Sequence, residues 1–241
     1  MSAPAGSISY EERVVAVIDI LGFSRLVMMS DGDAAALDSV RQLLRVDELF
    51  SKFLEFFPSA QGTFFSDTFV MSMQFPDTQT FYVVREIGYL CQYLLNLGLP
   101  CRGAISAGSL YHDGQNVVGP ALVCAHELEQ AQAKYPRVIL DKTALEYWSR
   151  DVAEGSSLDM FGPLVKRDDD GAHFIDIFSE LYPANFYQWA HFVEAFEPLP
   201  PHPEFIARAM RFVDERLKIY ADDGRVFPKY QWLSMQLAGY A

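Results

Sequence analysis

The chain has 241 residues, half of them hydrophobic, with 19 basic against 32 acidic side chains and a net charge of −13. That is enough apolar material for one large domain, or one domain with an appendage, and it excludes a disordered chain. The acidic balance excludes a general nucleic-acid or anionic-membrane surface, so an anionic ligand must find a local basic pocket. No apolar run approaches the roughly 20 residues of a membrane span, and the N-terminus carries no basic region ahead of an apolar signal core, which points to a cytoplasmic protein. Cys91, Cys101 and Cys124 are odd in number and lack CxxC or Cys/His spacing, so buried thiols are expected in place of a disulfide framework or a zinc site.

After a small-residue leader, Met1 to Ser9, the run from Val14 to Leu21 reads as a central strand buried on both faces. It contains one carboxylate, Asp19, which is costly there unless a cation or donor compensates it. The spacing of Leu43, Val46, Phe50, Phe53 and Phe57 predicts a helix from about Asp33 to Phe57. Thr63 to Phe75 reads as a hairpin whose bend, Ser66-Asp67, holds a second singular carboxylate. A helix from about Asp77 to Leu97 follows on Phe81, Val84, Ile87, Cys91 and Leu94, with Gly98 as its cap. In the next strand, Cys101 to Tyr111, Gly103 and Gly108 mark close backbone approach or a bulge, and Asp113-Gly114 turns the chain. Gly119-Pro120 opens a helix to about Lys134. Then come a strand at Pro136 to Leu140, a short helix at Thr143 to Asp151, and two strands around Asp168-Asp169-Asp170-Gly171.

This order predicts an α+β fold on a mostly antiparallel sheet over residues 10–180. Beyond about Tyr182, aromatic-rich helical pieces broken by Pro198-Leu199-Pro200-Pro201 read as a C-terminal helical extension, 181–241, packed on the core. Within it, Arg208, Arg211, Arg216 and Lys218 form a basic face that reads as solvated.

Two carboxylates on adjacent elements of one sheet are what holding divalent cations against a triphosphate requires, because Mg²⁺ prefers hard oxygen ligands and keeps several waters. Asp19 and Asp67 fit that requirement, and Gly22 and Phe23 after the strand can present backbone N–H groups to phosphate oxygens. His112, His126, His173, His191 and His202 are scattered without metal-binding spacing.

The stretch Val17-Ile18-Asp19-Ile20-Leu21-Gly22-Phe23-Ser24 resembles the strand and phosphate loop of class III nucleotidyl cyclases, and Ser66-Asp67-Thr68-Phe69-Val70 resembles their second metal hairpin. Arg102-Gly103-Ala104-Ile105-Ser106-Ala107-Gly108 is similar to their Arg-x-Gly-Ile-x-x-Gly strand, and Val118-Gly119-Pro120-Ala121 to the entry of their dimer-facing helix. The motifs fall in the family's order over roughly residues 13 to 178. The resemblance implies a ferredoxin-like βαββαβ core with added strands, and a head-to-tail homodimer with active sites at the interface.

The departures narrow the resemblance. The family's asparagine and arginine on the dimer-facing helix fall at Val123 and Glu127, and a one-residue slip offers only Cys124 or His126. The purine-reading positions hold Thr63 and Asn116. This combination, with the extension containing Lys229-Tyr230-Gln231-Trp232-Leu233, resembles the Pycsar pyrimidine cyclases. That branch implies conversion of UTP, or alternatively CTP, to a 3′,5′-cyclic nucleotide and pyrophosphate, a messenger for a separate effector in antiphage defence. The other readings are a purine cyclase and a catalytically silent binding protein.

The resemblance implies two Mg²⁺ or Mn²⁺ ions held by Asp19, the backbone of Ile20 and Asp67, with Arg102 a further catalytic group. It implies substrate contacts at Leu21, Gly22, Phe23, Ser24, Thr63, Asn116 and Lys166, with Arg167 an alternative to Lys166. Each has a plainer reading beside it: Asp19 as a strand-end cap, Asp67 as a turn former, Arg102 as a surface ion pair, and Lys166 and Arg167 as an ordinary charged strand end.

Overall fold

The computed structural model describes residues 8–55, 57, 59–75, 80–153, 164–180 and 199–240. The side chains of Val46, Phe50 and Phe53, the expected helix start at Asp77 and the segment 181–198 lie outside the described residues. The first strand, β1 (Glu11–Ile20), alternates between two cores. Val14, Ala16, Ile18 and Ile20 enter the main core, while Val15 and Val17 join a small second cluster on the opposite face. With a side-chain period of two, Arg13 and Asp19 share that second face.

A short helix absent from the sequence expectation, α1 (Phe23–Ser30), follows β1 at once. Next come α2 (Ala34–Glu55), started by Asp33, whose Oδ1 accepts from the N–H groups of Ala35 and Ala36, and the hairpin β2 (Gln61–Phe65) and β3 (Thr68–Gln74). α3 (Thr80–Asn96) ends on Gly98, whose φ of +76° closes the helix as expected. β4 (Cys101–His112) turns at Asp113-Gly114 into a two-residue strand, β5 (Val117–Val118), also unforeseen. α4 (Pro120–Gln132), β6 (Val138–Leu140), α5 (Lys142–Ala153), β7 (Val165–Arg167) and β8 (His173–Ile175) complete the sheet region. α6 (His202–Ile219) and α7 (Phe227–Leu237) follow.

The strands run β2-β3-β1-β4-β6-β8-β7, with β5 paired to β4. Only β4 and β6 pair in parallel. In β2-β3-β1-β4, the strand β3 separates β1 from β2, and β1 separates β3 from β4, so each helical connection skips one strand. That is the ferredoxin-like βαββαβ arrangement, and the fold is α+β. Gly103 permits it locally: a Cβ there would sit 2.3 Å from the Val17 carbonyl oxygen.

The extension is part of the main core. Phe205, Ile206, Ala209 and Val213 of α6 and Trp232, Leu233 and Leu237 of α7 are buried with the β1 and α3 residues. Arg137, 2% exposed, pairs with Asp168 and Asp170, and the indole N–H of Trp232 donates to Asp168 at 2.8 Å. The acidic turn therefore locks α7 to the sheet. Cys91 and Cys101 are buried as expected, their sulfurs 3.2 Å apart, whereas Cys124 lies exposed because it sits on the outer side of α4. No helix among the described residues is long and apolar enough to cross a membrane.

Candidate active site

The C-terminal end of β1 brings the backbones of the two expected acids close together. Asp19 stands directly opposite Thr68, with Cα atoms about 5 Å apart in such a pair. Asp67 is the preceding residue, and its carbonyl oxygen accepts the Ile20 N–H at 2.9 Å. Ser66, at a φ of +59°, makes the tight bend that returns the chain to this point. Both acids are half-buried.

Beyond Ile20, the Leu21 N–H donates to the Pro100 carbonyl, and Gly22 takes a φ of +82° as the N-cap of α1. A glycine meets that conformation without the steric cost of a Cβ. The first intrahelical bond runs from Leu26 to Gly22, so the N–H groups of Phe23, Ser24 and Arg25 have no helical acceptor, as in any first turn. The expected phosphate turn, Leu21 to Ser24, is therefore placed beside Asp19 with donors directed out of the helix end.

The compensating partner for Asp19 is Arg102, directly opposite on β4. Its Nε donates to Asp19 Oδ2 at 3.0 Å. A third acid, which the sequence reading passed over, meets the same nitrogen: Glu129 Oε1 lies 3.0 Å from Arg102 Nε. Glu129 is 2% exposed and follows Ala121 and Ala125 on the sheet-facing side of α4. Burial pushes its carboxyl above the usual range, Arg102 opposes the rise and Asp19 adds to it. The i, i+4, i+8 spacing of Ala121, Ala125 and Glu129 was the available signal, since it sets an acid at the end of a buried stripe.

Lys229 was also missed as a site residue. It is half-buried near the start of α7, where burial lowers its ammonium pKa, Arg102 lowers it further, and Asp19 and Asp223 oppose the shift.

Thr63 lies two strands from β1, about 10 Å across the sheet. It ends a polar chain on the Asp19 face. Arg13 Nε donates to Ser72 Oγ at 2.9 Å, so the Ser72 hydroxyl hydrogen is free for His112 Nδ1, also at 2.9 Å. His112 Nε2 then carries the hydrogen toward Thr63 Oγ1 at 2.9 Å, and Thr63 donates to the Gly114 carbonyl at 3.2 Å. Every donor in the chain runs one way, which requires a neutral imidazole. Burial holds His112 down at about 4, with Arg13 lowering it further and Asp113 opposing. Asn116 sits in the same turn, but on its exposed side, where its backbone and side-chain N–H groups donate to Asp113.

Lys166 is placed elsewhere. Its strand, β7, is the fourth from β1, about 19 Å away at the usual strand spacing. Its ammonium pairs with Asp176 at 2.8 Å and with the Tyr240 hydroxyl, and lies over the Tyr240 ring. Within one protomer this lysine ties down the C-terminus and does not join the Asp19 cluster, in line with its plainer reading; Arg167 is exposed on the same edge strand. Val123 and Glu127 lie on the solvent side of α4.

Two carboxylates, with solvent and substrate phosphates to complete the shell, are a donor set suited to Mg²⁺ or Mn²⁺. Asp19 and Asp67 fit it once Arg102 yields the Asp19 oxygen. Among the described residues no group of three or more His, Cys, Asp or Glu side chains is placed to hold a metal ion.

No protein-family model matches the chain, and no curated protein matches it. Among solved structures it is similar to the adenylyl cyclase CyaB from P. aeruginosa, at 16% identity over 69% of this chain and 94% of that one, with a TM-score of 0.48. It is also similar to the monomeric guanylyl cyclase domain of the RhoGC fusion protein from the aquatic fungus Blastocladiella emersonii, at 12% identity over 69% and 95% of the chains with a TM-score of 0.45. A bacterial light-regulated adenylyl cyclase is similar at 14% identity over 77% and 97%, with a TM-score of 0.42. The topology and the site residues stand independently of these likenesses.

Proposed function

We propose that this chain is a class III-type nucleotidyl cyclase that converts UTP to 3′,5′-cyclic UMP and pyrophosphate, with CTP the alternative substrate. The observation that carries the reading is the backbone neighbourhood of Asp19 at the end of β1 and Asp67 in the bend before β3, beside a turn in which the N–H groups of Phe23 to Arg25 have no helical acceptor. In the reaction the ribose 3′-hydroxyl oxygen bonds to the α-phosphorus as the bond to the β-phosphate oxygen breaks, releasing a proton and pyrophosphate. Asp19, the Ile20 carbonyl and Asp67 would hold two Mg²⁺ or Mn²⁺ ions, which when bound lower the hydroxyl pKa and neutralise the phosphates. The N–H groups of Phe23 to Arg25 orient phosphate oxygens, and Arg102 supplies positive charge at the same strand end.

The pyrimidine reading rests on the departure at Thr63 from a purine-reading lysine, its hydroxyl being committed within the protein to His112 and Gly114. A homodimer is supported by apolar side chains left on and beside the site face: Phe65 is 79%, Val123 55% and Val118 44% exposed. In such a dimer α4, with Val123 and Glu127 outward, faces the partner's site. The cyclic product would act through a separate effector in antiphage defence.

A second reading, a silent nucleotide-binding protein, is favoured by Glu127, whose charge on that outward face repels a triphosphate. One experiment separates them. The purified protein is given each NTP with Mn²⁺ and the cyclic products are identified, alongside Asp19→Ala and Asp67→Ala. Cyclic UMP or CMP that vanishes in both folded variants supports the proposal. Cyclic AMP or GMP as the main product overturns the pyrimidine claim, and NTP binding without any cyclic product establishes the silent reading.

A further inference from the structure

Arg102 has one Nε hydrogen and two carboxylates waiting for it. The hydrogen goes to Asp19, while Glu129 Oε1, also 3.0 Å away, is buried with no hydrogen-bond partner. Glu129 Oε2 accepts from Gln130 at 2.7 Å, so only the oxygen aimed at Arg102 is unmet. A buried carboxylate oxygen without a donor is costly. A shift of the guanidinium toward α4 would satisfy it. We propose that Glu129 is a positioning residue that takes Arg102 off Asp19, freeing the Asp19 carboxylate for a divalent cation and leaving the displaced arginine paired.

Charge favours the exchange. With Arg102 on Asp19, an approaching cation meets a carboxylate whose charge is already balanced. With Arg102 on Glu129, it meets a bare carboxylate, and the arginine's charge is already balanced. The required movement is small because both acceptors lie within hydrogen-bonding range of one nitrogen, and Nη1, now 3.5 Å from the Ala133 carbonyl, already points toward the end of α4. The inference rests on the reading of Asp19 as a cation ligand.

The test is Mn²⁺ binding to the full chain by titration calorimetry, without nucleotide. Glu129→Gln keeps the volume and removes the charge, so Arg102 stays on Asp19 and the Mn²⁺ Kd rises about tenfold, the size of one charge-assisted hydrogen bond. Adding Arg102→Met to Glu129→Gln removes the competitor and returns the affinity to the wild-type range or tighter, a rescue that a merely structural role for Glu129 does not give. Unchanged affinity in Glu129→Gln, or no rescue in the double variant, overturns the proposal. A second measurement uses the unsubstituted protein. The Arg102 Nε–H resonance, assigned by its loss in Arg102→Lys, should remain protected from solvent exchange when Mg²⁺ is added, because it passes to a buried acceptor. Loss of protection on saturation overturns the handover even where the variants fail to fold. Wild-type Mn²⁺ affinity in Asp19→Asn overturns the underlying metal reading instead.

Discussion

Stability should fall with acidification through His112 by an amount the structure fixes. The ring is 7% exposed, lies near the positive Arg13, and has both nitrogens committed to Ser72 and Thr63. Its folded value of about 4, against the ordinary 6.5, corresponds to about 3.4 kcal/mol at about 1.36 kcal/mol per pH unit. Because the folded pKa is depressed, the unfolded chain takes up the proton first. The stabilisation is complete above about pH 6.5 and drains away as pH falls toward 4. At pH 4.5 about 2.6 kcal/mol should already be gone. The assay is urea unfolding at half-unit steps from pH 7.5 to 4.5 on the wild type and on His112→Gln, which is neutral throughout. Other titrating groups are common to both, so the difference between the two curves isolates the imidazole. Wild type should lose about 2.6 kcal/mol more than the variant over that range. Parallel curves would refute the one-way donor chain and the neutral ring it requires.

Gly103→Ala should lower stability by about 3 kcal/mol, since the new Cβ would press on the Val17 carbonyl at 2.3 Å and on Ile18 Cδ1 at 2.7 Å; an unchanged denaturation midpoint would show that β1 and β4 can separate there without cost. Lys166→Met should cost about 2 kcal/mol by removing the counter-ion of the buried Asp176 carboxylate, which keeps its hydrogen bonds from Tyr240 and Phe178, yet leave the KM for the nucleotide unchanged. A raised KM with normal stability would return Lys166 to the substrate site.

Most elements were legible because their signals are local. The aliphatic run of β1, the Ser66-Asp67 bend and the Gly98 cap each declare themselves within a few residues. α1 was not, because Phe23–Ser30 has a good apolar stripe but no capping side chain, and a turn glycine alone does not announce an eight-residue helix. At the site, Asp19 and Asp67 stood out as single charges in apolar strands. Glu129 did not, for it sits among Glu127, Gln130 and Gln132 in a stretch that reads as a solvated face. Its burial is decided by α4 packing its alanines on Val15, Val17 and Val70, a long-range contact; the spacing of Ala121, Ala125 and Glu129 marks a shared face but not what covers it. Lys166 shows the opposite case: a lysine in the expected strand reads as available, while its partners within the chain, Asp176 and Tyr240, are distant in sequence.

With a net charge of −13, the chain draws the basic side chains near the end of β1 from several elements. Arg102 comes from β4. Lys229 comes from α7, and Trp232 and Leu233, on the following turn, fasten that helix to the sheet through Asp168 and the residues around Cys101 and Val138. Arg25 comes from α1, and the extension reaches it too: Arg25 Nη1 donates to the Tyr220 hydroxyl at 2.8 Å, and Tyr220 stacks on Tyr230 with ring centroids 5.8 Å apart. The phosphate turn opens α1, so the same contacts that place Arg25 also steady that turn. Three cations from three elements thus gather around the end of β1, two of them held there by α6 and α7. The C-terminal helices are therefore part of the site's electrostatics as well as of its core.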